Sequence, residues 1–65
     1  MIEYIVKSRN AGCVTIHAQN HKDAAMKALA SFTEIKGVKE TNNTDFAHIS
    51  VQGPRVTKYY NLVMH

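Results

Sequence analysis

Polar and apolar positions alternate along most of this 65-residue chain, and one stretch changes to a helical period. Met1 to Lys7 reads as a strand, with Ile2, Tyr4 and Val6 on one face and Glu3, Ile5 and Lys7 on the other. Ser8 to Gly12 (SRNAG) is a turn cluster, in which Asn10 and Gly12 tolerate left-handed angles. Cys13 to Ala18 returns as a second strand. Val14, Ile16 and Ala18 point to the core, and Cys13, Thr15 and His17 point away. Asn20 to Thr33 (NHKDAAMKALASFT) reads as the only helix. Asn20 is placed to cap its free N–H groups, and Asp23 is placed to reach back as in a capping box. Ala25, Ala28, Leu29 and Phe32 follow the i, i+3, i+4, i+7 spacing and form the apolar stripe. Gly37 is the expected C-terminal stop. At the usual rise the pattern spans roughly 20 Å, enough for one face of a small sheet.

Beyond the helix, Ile35 to Thr41 reads as a loop or a short strand centred on Val38, and Asn42 to Thr44 as a turn. Asp45 to Gln52 alternates again, with Ala47, Ile49 and Val51 opposed to Phe46, His48 and Ser50. Gly53-Pro54 is a turn dipeptide. Arg55 to Val63, rich in Val, Thr and Tyr, is the last strand. Its even positions Val56, Tyr60 and Leu62 are taken inward, so Lys58 has to snorkel to water and Tyr59 and Asn61 face out. Residues 1–65 then form a single α+β domain. One helix packs on a twisted four- to five-stranded antiparallel sheet, in the order β-β-α-(β)-β-β.

Composition adds a few boundaries. A chain this short buries only about 60% of its extended-chain surface, so monomer and homodimer are both compatible with it. The single cysteine, Cys13, allows no internal disulfide and points to a reducing, cytoplasmic setting. No apolar run reaches membrane-spanning length, and MIEYIVK lacks the layout of a signal peptide. A net charge of +3 and a pI near 9.3 suit a polyanionic partner.

Candidate chemistry is sparse. His17 and His21 are four apart, but one lies in a strand and the other just past the helix cap. Cys13 and His17 share a strand face at roughly 13 Å, too far apart for one ion. No metal site or cofactor is expected. Cys13 has no activating histidine, no serine sits in a nucleophile elbow, and the five acidic residues are scattered. A domain of this size also has little room for a water-excluding pocket. An enzyme is therefore not expected, and no catalytic residue is assigned. Gly12, Gly37 and Gly53 are isolated, so no phosphate-cradling loop exists. The RNP signature of an RNA-recognition domain and a KH-type GxxG loop are absent. What remains is basic and aromatic: Lys7, Arg9, Lys36, Lys39, Arg55, Lys58 and Tyr59 are the candidate partner-binding residues. Exposed aromatics beside lysines can stack on bases or anchor a protein. The plain alternative is a solvated surface.

An opening YIVK strand, a return strand VTIHA, a polar cap NHKD, a helix AAMKALASF and alternating strands to the C-terminus resemble small anti-CRISPR proteins of phages and mobile elements. The resemblance is to the one-helix, five-strand type that inhibits type I surveillance complexes. It covers nearly the whole chain, in element order and size. It implies a non-enzymatic, protein-binding inhibitor in the cytoplasm of a host bacterium. Such an inhibitor docks on a ribonucleoprotein CRISPR effector and interferes with target DNA binding. The +3 charge departs from the acidic, DNA-mimicking inhibitors. The alternative reading is a small basic nucleic-acid-binding domain.

Overall fold

A computed structural model describes residues 1–9 and 12–64. The expected turn residue Asn10, its neighbour Ala11 and the terminal His65 lie outside the described residues. Strands β1 (Ile2–Ser8) and β2 (Gly12–Ala18) form the first hairpin, and helix α1 (His21–Ala28) follows. Three further strands are β3 (Ile35–Thr41), β4 (Ile49–Gln52) and β5 (Thr57–Met64). All pairings are antiparallel, and the sheet order is β2-β1-β4-β5-β3. Ile35–Thr41, for which loop and strand were both compatible with the pattern, is β3, at a sheet edge. Gly12 enters β2 at φ +74°, a left-handed angle that glycine takes without steric cost.

Residues directly opposite in an antiparallel pair share a face. Tyr4 faces Ile16, Val6 faces both Val14 and Val51, and Ile49 faces Tyr60. These even positions of β1, β2 and β5 and odd positions of β4 point toward α1. Tyr4, Val6, Ala18, Val38, Ile49, Val51 and Tyr60 join Ala24 and Ala25 in one core. The inward reading of Tyr60 and Leu62 holds. Val56, however, precedes the strand and is half exposed, because its carbonyl closes the turn from the N–H of Gly53. The expected strand over Asp45–Gln52 shortens to Ile49–Gln52, since residues 44–46 turn and leave Phe46 exposed.

The helix begins as its sequence indicates. Asp23 N–H donates to Asn20 Oδ1 at 2.8 Å, and Gln19 N–H donates to Asp23 Oδ2 at 3.2 Å. It ends earlier than the periodicity suggests, at eight residues or about 12 Å. The N–H of Leu29 is shared between the carbonyls of Ala25 and Met26, and successive tight turns follow through Phe32 to Ile35. Ser31 and Thr33 favour such turns over helix, and the chain must still cross from the β2 edge to β3 at the far edge. Phe32 is therefore 45% exposed rather than part of the buried stripe, while Ala24, not expected in the stripe, is fully buried. Gly37 is not the helix stop: it lies inside β3, beside a register shift between Ile35 and Gly37.

Gly53 is needed for its size. A Cβ there would lie 2.9 Å from His21 Nε2 and 3.0 Å from Tyr4 Cε1. His21 cannot yield freely, because Nε2 bonds the Val56 carbonyl at 3.0 Å and the ring meets Tyr4 edge-on at 4.8 Å. Gly53→Ala is expected to cost about 1 kcal/mol in a urea titration, as a mild overpacking. Gly37→Ala, with nothing within 4 Å of the new Cβ, is the control and should stay within about 0.5 kcal/mol of wild type.

Candidate binding face

Alpha helix α1 packs on one side of the sheet, so the odd positions of β1, β2 and β5 look outward on the other. The ladders align Cys13, Lys7, Ser50, Tyr59 and Thr41 as one row across all five strands. At the usual strand spacing that row is about 19 Å long. A second row runs through Thr15, Ile5, Gln52 and Thr57. Glu3 and His17 pair at one end, with Oε2 and Nε2 3.8 Å apart and both side chains well exposed. The outward placement of Ile5, Thr15, His17 and Tyr59 follows the alternation.

Lys7, Arg9 and Tyr59 line one groove of about 250 Å³, together with Thr44, His48 and Ser50. They come from three separate segments. Lys7 and Tyr59 flank Ser50 on β4, and Arg9 follows β1. The Arg9 guanidinium donates to the Asp45 carbonyl, which ties it to the turn over residues 44–46. His48 is held from the neighbouring strand. Its Nδ1 accepts from the Leu62 N–H at 3.1 Å, so the ring proton of the neutral form sits on Nε2.

The other candidate residues lie elsewhere. Lys36 sits at the irregular step of β3, Lys39 farther along that edge strand, and Arg55 in the exposed β4–β5 turn. Lys58 pairs with Val51 and therefore points to the helix side, where its ammonium is 3.7 Å from Glu40. Lys39 and Lys58 line a separate cleft of about 520 Å³ with Asn20, His21, Lys22, Val38, Glu40 and Tyr60. Reading the sequence missed Lys22, His21 and Tyr60 as its partners. The Asn20 cap marked a helix start, but nothing local marked β3 and β5 as its neighbours.

Tyr60 is 3% exposed. Burial first, then Glu40 and Tyr4, raise its hydroxyl above the ordinary 10.0. A fold that favours the protonated phenol keeps that stabilisation below pH 10 and loses it as pH rises through the raised value. Wild type should therefore lose stability above pH 10 more steeply than Tyr60→Phe, read as urea midpoints across that range.

Cys13 is exposed and free, and no group of three His, Cys, Asp or Glu side chains among the described residues could hold a metal ion. No helix among them is long and apolar enough to cross a membrane. Comparison with protein-family models, with curated proteins and with solved structures returned no match. The class defined by the fold is a small α+β domain with one helix on a five-stranded antiparallel sheet.

Proposed function

We propose that this protein works by binding rather than by chemistry, through the uncovered sheet face, and that its partner is an anionic macromolecular surface. The observation that supports this most is the meeting of Lys7, Arg9 and Tyr59 in one groove on that face. Two cations supply attraction and steering, and an aromatic ring supplies a rigid contact. The resemblance to one-helix anti-CRISPR proteins makes a type I surveillance complex the first partner to test. In that reading the protein docks on the subunits that hold guide RNA and target DNA, and competes with target DNA.

The test is capture of target DNA by a purified type I complex, with and without the protein. Binding to the complex with loss of DNA capture supports the inhibitor reading. Absence of both overturns it. The second reading, direct nucleic-acid binding, is favoured by the position of Tyr59 across Ser50 from Lys7, an aromatic ring and a cation on one row of the sheet. It requires binding to bare DNA or RNA that weakens steeply with salt, because counterions are released. Salt-insensitive or absent binding to bare nucleic acid removes it.

A further inference from the structure

We propose that the free edge of β2 is a self-association surface, along which a second copy of this chain adds antiparallel to give one sheet running through both copies. The two edges of the sheet, β2 and β3, differ. β3 carries Lys36 and Lys39 and a register shift between Ile35 and Gly37, features that keep an edge from pairing with another strand. β2 (GCVTIHA) pairs with β1 over all seven residues without a shift, and it holds no lysine, proline or acidic residue. An unguarded edge of this length is a template for another strand.

Hydrogen-bond direction shows which groups are on offer. The N–H of Arg9 donates to the His48 carbonyl, which continues the β1–β4 ladder at an odd position. In an antiparallel strand bonded on both sides, successive residues alternate between neighbours. Odd positions of β1 therefore serve β4, and even positions serve β2. The β2 residues across from odd β1 positions, Cys13, Thr15 and His17, then turn their N–H and C=O groups to the open edge. An independent contact agrees: Lys27 Nζ reaches down from the helix and donates to the His17 carbonyl at 3.1 Å. That lysine guards one end of the edge. The backbone groups of Cys13 and Thr15 have no partner on that side among the described residues.

This free pair selects the occupant and its register. With Cys13 of one copy opposite Thr15 of the other, each pair exchanges both backbone bonds, and the two-fold axis passes at Val14. Val14 of one copy then meets Val14 of the other as a non-hydrogen-bonded pair, where side chains approach most closely. Val14 is 47% exposed, so the contact removes apolar surface that the single chain leaves in water. Cys13, Val14, Thr15 and Ile16 carry no charged side chain, so a chain of net charge +3 meets itself here without opposing like charges. The same operation at β3 would bring the lysines of the two copies together. Both outer faces end on one side of the joined sheet, with the two β1 strands about 14 Å apart.

Sedimentation and amide hydrogen exchange of the full-length protein test this. A concentration-dependent dimer is expected, with exchange at Cys13 and Thr15 slowing as concentration rises. Cys13→Ser with Val14→Cys should form a disulfide-linked dimer in a glutathione redox buffer, because the Cα atoms of a non-hydrogen-bonded pair lie about 4.5 Å apart. Cys13→Ser with Val56→Cys, a comparably exposed position in the β4–β5 turn, should not. Val14→Lys should weaken the dimer more than about tenfold, by setting two cations face to face. Thr15→Pro should do the same, by removing an edge N–H that the single chain does not use. Lys36→Glu, on the other edge, should leave the dimer unchanged. A wild-type monomer at millimolar concentration overturns the proposal, as does a folded Val14→Lys variant that dimerises like wild type. Protection of the same amides only by an added extended peptide also overturns it and assigns the edge to a foreign strand.

Discussion

Tyr4→Ala is expected to remove about 4 kcal/mol of folding stability, the cost of truncating a buried aromatic residue. A chain of this length has roughly 3–10 kcal/mol in total, so the variant should be largely unfolded or melt far below wild type. Tyr4 is 3% exposed and belongs to the core that the sheet and the helix share. Its ring lies across from Ile16, against His21 and beside Gly53. Little else can fill the space. Among the described residues, Val51 is the largest side chain with less than 2% exposure, and two of the helix contributions to the core are alanines. Tyr4→Phe should stay within about 0.5 kcal/mol, since no hydrogen bond among the described residues uses the hydroxyl. Far-UV circular dichroism and urea midpoints of the two variants decide the matter. An alanine variant within 1 kcal/mol of wild type would mean that the core can collapse around the gap.

The largest functional effect is expected from reversing the two cations of the outer groove. Lys7→Glu with Arg9→Glu changes the net charge from +3 to −1, two units for each substitution. Partner binding should fall roughly 100-fold, about tenfold for each reversed charge at the interface. If the partner is bare nucleic acid, the dependence of log K on log salt should also become shallower by about two. Lys36→Glu, with the two-unit charge change of Lys7→Glu alone but at the far sheet edge, should lose much less than Lys7→Glu. Lys7→Glu alone is the cleaner probe, because Arg9 also holds the Asp45 carbonyl and its replacement loosens that turn. Equal losses from Lys7→Glu and Lys36→Glu would indicate general charge attraction rather than this groove.

Much of the scaffold was legible because its signals are local. Period-two alternation set which side chains of β1, β2 and β5 share a face, and Tyr4, Val6, Tyr60 and Leu62 lie where it placed them. The helix start was legible in Asn20 and Asp23, which are three residues apart and act through their own backbone. The helix end was not. Phe32 matches the helical period as well as Ala25 does, and periodicity carries no information on where the chain must turn to reach the next strand. Ser31 and Thr33 were the available hint. Lys58 lies on the inward side with its ammonium in water, as the alternation indicates, but its pairing with Glu40 crosses from β5 to β3.

The candidate sites separate along the same line. The sequence marked the basic and aromatic residues and could not sort them. Lys7, Arg9 and Tyr59 meet only because β4 inserts between β1 and β5. Lys39 and Lys58 line one cleft with Lys22 only because β3, β5 and the start of the helix come together there. By itself, then, the sequence determined the first hairpin with its facing, the presence of the helix and its capped start, all of which depend on neighbours a few residues away. Tertiary structure decided the order β2-β1-β4-β5-β3, the early end of α1 and the division of the cations between an outer groove and an inner cleft. Burial of apolar surface is non-directional, and each strand offers a similar apolar stripe, so only the assembled sheet selects which strands become neighbours.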